Sequence, residues 1–258
     1  MGAASRGLTL RALEGIGEIQ PGQQLDSVIV QAIERNGIVL NDHDVVAVSQ
    51  KVVSKSENRY VDLAHISPGA QAQTLAARSD KDPRYVEVAL RQSTAVIRCV
   101  KGVLIVRHKL GFVVANAGID QSNIEDGEHR VLLLPEDPDA SASRLRESIS
   151  RRTGKHVGVL ITDSFGRAWR MGVCGVAIGC AGFTPLLDQR GTADRFGRTL
   201  RVTEVAVADQ LASAATLVMG EAGEGLPVVI VSGLAPQYFE RAGVAREMIR
   251  PAAMDLFL

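Results

Sequence analysis

Helical and extended signals alternate along almost the whole of this 258-residue chain, and that alternation constrains its fold more than any other feature. It calls for an α+β class of mixed sheets and helices packed on one another. Residues 25–35 place Leu25, Val28, Ile29 and Ile33 on one helical face, with Gly37 set to end the helix in a left-handed cap. Residues 44–49 predict a short buried strand, followed by a polar stretch over 50–58. Residues 71–78 and 85–91 predict helices, broken by Asp82-Pro83. Residues 96–107 and 111–115 are β-rich on either side of a short basic turn, as in a hairpin. A strand over 131–134 closes at Pro135, and a polar helix over 141–153 turns Leu145 and Ile149 inward, with Gly154 behind it. Residues 203–219 predict the longest helix, ended by Gly220, and 228–232 a last buried strand. No internal repeat or low-complexity linker interrupts the series, and the pattern leaves the order of strands open.

One strand is unusually well marked. Residues 157–162 are apolar and end abruptly at Asp163. Beyond them a glycine-dense stretch over 166–182 carries Gly172, Gly175, Gly179 and Gly182, small enough to let backbones or a ligand approach closely. Ligands gather at the carboxyl ends of strands in open α/β sheets, so Asp163 stands where chemistry is expected.

Composition excludes several classes of function. Twenty-nine basic residues balance 29 acidic ones, which gives no general attraction to nucleic acid or to an anionic membrane. Six Phe, three Tyr and one Trp leave few platforms on which single-stranded bases could stack. No apolar run approaches the ~18 residues of a membrane span, and residues 1–10 lack a signal-peptide pattern. A cytoplasmic protein without nucleic-acid or membrane partners is expected. Cys99, Cys174 and Cys180 are too few and wrongly spaced for a zinc site or a disulfide framework, and read as reduced packing residues.

Familiar nucleotide signatures are missing. There is no Walker-type G-x-x-x-x-G-K-[ST] loop, Gly15-Ile-Gly17 lacks a third glycine, and no G-x-S-x-G elbow surrounds Ser164. What remains is a set of carboxylates at element ends: Asp120 after a strand, Asp163, and Glu221 and Glu224 just beyond the long helix. A helix C-terminus carries partial negative charge and repels phosphate, so acids there make sense if a cation lies between them and a phosphate. Hard oxygen ligands of this kind suit Mg²⁺ or Mn²⁺. The basic candidates are Lys51 and Lys55, and Arg167 and Arg170 in Asp163-Ser-Phe-Gly-Arg-Ala-Trp-Arg170, as grips for phosphate or carboxylate. His108, in a basic turn, is read as contacting solvent or phosphate rather than as a base. Ser164 is read as a metal or capping hydroxyl, with no partner that would make it a nucleophile. Spacing alone leaves each lone carboxylate readable as a turn or cap residue, and each basic side chain as solvated surface.

Several long segments in chain order resemble the coenzyme F420-0:L-glutamate ligase (γ-glutamyl ligase) family. They are Gly15-Ile-Gly-Glu-Ile19, Ser49-Gln-Lys-Val-Val-Ser-Lys55, Asn116-Ala-Gly-Ile-Asp-Gln-Ser-Asn123, Ile161-Thr-Asp-Ser-Phe-Gly-Arg-Ala-Trp-Arg170, Asp188-Gln-Arg-Gly-Thr-Ala-Asp-Arg-Phe-Gly-Arg198 and the region from Ala208-Asp209 to Gly225. The resemblance implies a GTP-dependent ligase, using Mg²⁺ or Mn²⁺ and K⁺, that activates the terminal carboxylate of coenzyme F420-0 as an acyl phosphate. The amine of L-glutamate then displaces phosphate, and further glutamates follow through γ-linkages. It implies that Asp120 and Asp163 hold one metal, with Ser164 and Glu221 on a second. By the same resemblance Ile16, Gly17, Glu18, Ile19, Gln50, Lys55 and Asn123 line the nucleotide. So do Met219, Gly220, Glu221, Ala222, Gly223, Glu224, Gly225 and Leu226. Asp120, Asp163, Arg167 and Arg170 are the candidate catalytic residues.

Position 164 is Ser where many relatives carry Thr, which keeps the hydroxyl. The resemblance also implies a two-lobed monomer in an intertwined homodimer, with the chain as a single ligase unit whose lobe boundaries the sequence does not fix. Some bacterial relatives continue into a flavin-binding reductase-like domain. With Leu258 as its last residue, the chain is expected to be either a stand-alone ligase or the ligase portion of such a protein. Two other readings stand beside this one: a nucleotide-dependent amino-acid ligase acting on another carboxylate, and a non-catalytic nucleotide-binding protein of the same fold.

Overall fold

The computed structural model describes residues 7–255, so the first six residues of the stretch tested for a signal pattern, and Leu258, lie outside the described residues. From the N-terminal side, β1 (Thr9–Ala12) leads to α1 (Leu25–Arg35), β2 (Val45–Ser49) and α2 (Gln50–Ser56). There follow β3 (Tyr60–Asp62), α3 (Ala70–Ser79), α4 (Pro83–Arg91), β4 (Ser93–Val100), β5 (Val103–His108), β6 (Val113–Ala115) and β7 (Arg130–Leu132). The chain then passes through α5 (Pro138–Thr153), β8 (Gly158–Arg167), β9 (Arg170–Ala181), β10 (Leu186–Asp188), β11 (Glu204–Ala206), α6 (Val207–Met219) and β12 (Val228–Ser232). The class is α+β, as the alternation of signals predicts.

The main sheet has the order β1-β12-β2-β8-β9, and β2 and β8 are its parallel pair. Its central strands are buried on both faces, which is why their sequences are apolar without alternation. On one face Val46, Val48, Val159, Ile161, Val228 and Ile230 pack with Ile29 and Ile33 of α1 and Leu145 and Ile149 of α5. On the other, Val45, Ala47, Leu160, Val229 and Val231 meet Leu211, Ala212 and Ala215 of α6. A separate core gathers Leu75, Val86 and Ala89 of α3 and α4 with Leu104 and Val106 of β5. There β4, β5 and β6 form an antiparallel meander.

The structure departs from the sequence expectations at five places. The polar stretch after β2 is helix α2, started by Ser49, whose hydroxyl accepts from the Lys51 amide at 3.4 Å. The β-rich run 96–107 is two strands, folded back at Lys101-Gly102 with Gly102 at φ +78°. The marked strand does not stop at Asp163 but continues to Arg167. The glycine-dense stretch that follows is the 12-residue strand β9. The longest helix is α5, with 16 residues, because residues 204–206 pair as strand β11 before α6 starts.

Gly175 and Gly179 explain why β9 is rich in glycine. A Cβ on Gly175 would lie 2.4 Å from the Ala212 carbonyl of α6, and one on Gly179 would lie 2.4 Å from the Pro138 carbonyl of α5. Both helices press their backbones onto this strand, so only glycine fits. The tight seat of α6 fixes where its C-terminus ends, and that end forms one side of the cleft described next.

Candidate active site

β2 and β8 run side by side with Ser49 opposite Thr162, so Gln50 and Lys51 on one strand's exit face Asp163 and Ser164 on the other. Asp120 approaches from a third direction. It follows Asn116, Ala117 and Gly118, all with left-handed φ of 53°, 57° and 65°. Two non-glycine residues in succession at positive φ cost energy, and such strain persists where surrounding packing enforces it. Asp120 is held by the Gln50 amide, whose Nε2 donates to Oδ2 at 2.5 Å, and by Lys51 Nζ, 3.1 Å from Oδ1. Gln50 is itself buried, and its Oε1 accepts from the Ser54 hydroxyl at 2.9 Å. Its amide is therefore fixed at both ends.

The opposite side is the loop after α6. Gly220, at φ +77°, leaves no room for a side chain, since a Cβ there would fall 2.2 Å from Glu224 Cδ. That turn brings Glu221 back onto β8, where Ser164 Oγ donates to Glu221 Oε1 at 2.7 Å. Glu224 Oε2 accepts from the Ala222 amide at 2.8 Å, and Asn123 Nδ2 donates to the Ala222 carbonyl at 2.9 Å. Lys55, buried, donates to the Asn123 carbonyl at 2.8 Å and pairs with Glu18 at 2.5 Å. Segments as far apart in the chain as Ile16 and Leu226 thus meet in one cleft of about 440 Å³, within the usual size of small-molecule sites.

Charge in this cleft is poorly compensated. Burial pushes the Asp163 carboxyl up to about 7, and the like charge of Asp120 adds to the effect, as does Glu221 more weakly. The Ser164 amide and Lys51 oppose the rise without cancelling it. Thr162, buried beside it, has a hydroxyl with no hydrogen-bond partner among the described residues. Unpaired oxygen donors and mutually repelling carboxylates suit a divalent cation. Among the described residues no three His, Cys, Asp or Glu side chains converge closely enough to hold a metal by themselves. A cation here needs oxygen from another molecule to complete its shell, as Mg²⁺ does with substrate phosphates.

The cleft is lined by Ile16, Gly17, Glu18, Ile19, Lys55, Asp120, Asn123, Asp163, Ser164 and all eight residues from Met219 to Leu226. Gln50 lies behind its surface, acting on Asp120. Arg167 and Arg170 are not in this cleft. They face each other across the end of the β8–β9 hairpin and line a second groove. Four residues of strand separate Asp163 from Arg167, roughly 13 Å. His108 is buried rather than solvated, accepts from the Leu110 amide at 3.0 Å, and is held down to about 4 chiefly by burial. Lys51, whose charge marks it in the sequence, and Thr162 and Ser122 are cleft residues that the sequence did not place there. Thr162 and Ser122 had no signal beyond lying inside segments 161–170 and 116–123.

A family model described as F420-0:Gamma-glutamyl ligase matches residues 15–233. Similar proteins include three named Coenzyme F420:L-glutamate ligase. That of Methanopyrus kandleri is 46% identical over 93% of this chain and 93% of its own. That of Methanothermobacter thermautotrophicus is 39% identical over 97% of this chain and 99% of its own. That of Methanocaldococcus jannaschii is 43% identical over 84% of this chain and 86% of its own.

Proposed function

The chain belongs to the F420-0:gamma-glutamyl ligase family and is a carbon–nitrogen ligase, and from that premise we propose that it joins L-glutamate to coenzyme F420-0 at the expense of GTP. The observation that carries the reading is the convergence of Asp120, Asp163 and Ser164 with Glu221 of the glycine-rich loop 220–225 in one cleft. In this reading the acceptor carboxylate oxygen attacks the γ-phosphorus, and the bond to the β-phosphate oxygen breaks to release GDP. The amine of glutamate then attacks the acyl carbon and phosphate leaves, with loss of a proton from nitrogen. The same chemistry repeated on the γ-carboxylate of the product would lengthen the chain.

No side chain has to become covalently attached, which fits a cleft where the Ser164 hydroxyl is engaged by the Glu221 carboxylate at 2.7 Å. Asp120, Asp163, Ser164 and Glu221 would hold Mg²⁺ or Mn²⁺, which neutralises phosphate charge and polarises the transferred phosphoryl group; K⁺ is a further ion of the same reading. Gln50 keeps Asp120 aimed into the cleft. Lys51, 3.1 Å from Asp120, is placed to turn its charge to an entering phosphate. The backbone of Gly220, Gly223 and Gly225 offers close approach to a nucleotide, while Lys55 braces the Asn123 and Glu18 segments. The whole chain acts as a single ligase unit, and as a homodimer. The homodimer rests on the family resemblance, and Met171, Phe196 and Val202, each more than 85% exposed, are apolar side chains that such an interface would cover.

The test is the fate of the nucleotide. With F420-0, L-glutamate and Mn²⁺ present, GTP should yield GDP and phosphate in amounts equal to the amide formed. Release of AMP and pyrophosphate, or equal turnover with ATP alone, contradicts the reading.

A further inference from the structure

A second groove opens where the first cleft ends, and none of the residues assigned above to metal or nucleotide lines it. Its volume is about 650 Å³. The two share their framework: β8 gives Thr162, Asp163 and Ser164 to the cleft and Phe165, Gly166 and Arg167 to the groove. The chain leaving β6 likewise passes from Val114 and Ala115 in the groove to Asp120 in the cleft.

The groove is both apolar and strongly basic. Its lining is largely apolar, with Ile97, Ile105, Phe112, Phe165 and Ile249, and Phe112 packs edge-on against Phe165 with ring centroids 5.8 Å apart. Five arginines, Arg98, Arg107, Arg167, Arg170 and Arg250, also line it, against two carboxylates. Both carboxylates are engaged: Asp255 lies 3.5 Å from Arg107, and Asp209 accepts from the Ala177 amide at 2.9 Å. Among the described residues no carboxylate lies within ion-pair distance of Arg98, Arg167, Arg170 or Arg250. Arg167 and Arg250 donate to the Met171 and Met254 carbonyls at 3.2 and 3.4 Å, which leaves their charge uncompensated, and such guanidiniums beside apolar surface suit a molecule with a flat hydrophobic part and anionic groups.

We propose that this groove is the acceptor site, holding the aromatic ring system of an anionic acceptor on its apolar lining and its acidic side chain among the arginines, with the carboxylate to be ligated reaching Asp163. This rests on the function proposed above and adds to it the place and chemistry of acceptor binding. The ~13 Å of strand between Arg167 and Asp163 sets the span the side chain has to cover. Arg167 and Arg170 then serve acceptor binding, not the nucleotide phosphates.

Two variants separate the possibilities. Arg98→Glu reverses one charge on β4, away from the cleft, and Gly166→Trp fills the groove where a Cβ meets nothing within 4 Å. Calorimetric titration with F420-0 alone and with GTP plus Mn²⁺, beside sedimentation of each variant, gives the readout. F420-0 should bind at least ~10-fold more weakly to both, the scale of losing a charge-assisted contact. GTP affinity should stay within about twofold, with the sedimenting mass unchanged. Wild-type affinity for F420-0 in both variants overturns the proposal, and so does a change in mass, which would make the groove a contact between copies. If the wild-type protein itself binds no F420-0, the proposed function fails and the groove assignment with it. If the wild type binds and glutamylates F420-0 while the variants do so equally well, only the groove assignment fails.

Discussion

The Asp163 carboxyl lies next to Asp120 in a cleft that hides it from water, and its proton affinity gives the site a signature measurable without substrate. In the unfolded chain it titrates near the ordinary 3.8, and in the folded protein near 7. Between these values the folded state holds a proton that the unfolded state lacks, so this group's contribution to stability falls as pH rises from about 4 to about 7. The buried His108, held down to about 4, works in the opposite sense over much of that window. The difference between wild type and Asp163→Asn therefore isolates the effect. In a chelator, Asp163→Asn should melt above wild type at pH 8, and the gap should close toward pH 5. A gap independent of pH would show that the carboxyl is not the strained group. With substrates and Mn²⁺, Asp163→Asn and Asp120→Asn should each lose at least ~100-fold in rate, the scale of removing an electrostatic partner of the developing charge. The double variant should lose far less than the product of the two, because residues serving one ion act as a unit; full additivity would place them in separate roles.

At the scale of elements, most boundaries were legible. Helix α1, the break at Asp82-Pro83 and the left-handed stop at Gly154 each carry a local signal that the structure uses. β9 was not legible, because glycine is a poor strand former and its density reads as loop. The reason for those glycines is tertiary: the backbones of α5 and α6 lie against them. Gly175→Ala should accordingly destabilise the protein by about 1–3 kcal/mol, the cost of overpacking a tight contact. Gly166→Ala, on the same hairpin with open space around it, should be neutral or slightly stabilising. Thermal melts of the two decide it. A harmless Gly175→Ala would mean that α6 can move off the sheet.

The arrangement of the whole molecule was the least legible part. Asp120 and Asp163 are 43 positions apart, and nothing in spacing or propensity brings them together; only the resemblance of whole segments placed them in one site. Arg167 and Arg170, read from the sequence as catalytic candidates beside Asp163, are carried by the β8–β9 hairpin into the neighbouring groove. Lys51 was readable as a charge, while its contact with Asp120 depends on the parallel pairing of β2 and β8, which no local pattern encodes. The exposed Met171, Phe196 and Val202 bear on the proposed dimer. Light scattering at micromolar concentration should report two 27.5-kDa chains per particle, and Phe196→Asp should lower that mass. A folded wild-type monomer would contradict the dimer, since intertwined protomers lack independent stability. The most direct test of the central claim, that this cleft joins glutamate to F420-0, is mass spectrometry of F420-0 incubated with the protein, GTP, Mn²⁺ and L-glutamate. The account expects stepwise addition of glutamate residues by the wild type and almost none by Asp163→Asn. Unmodified F420-0 after incubation with folded, metal-supplied wild type, or an equal yield from Asp163→Asn, would contradict it.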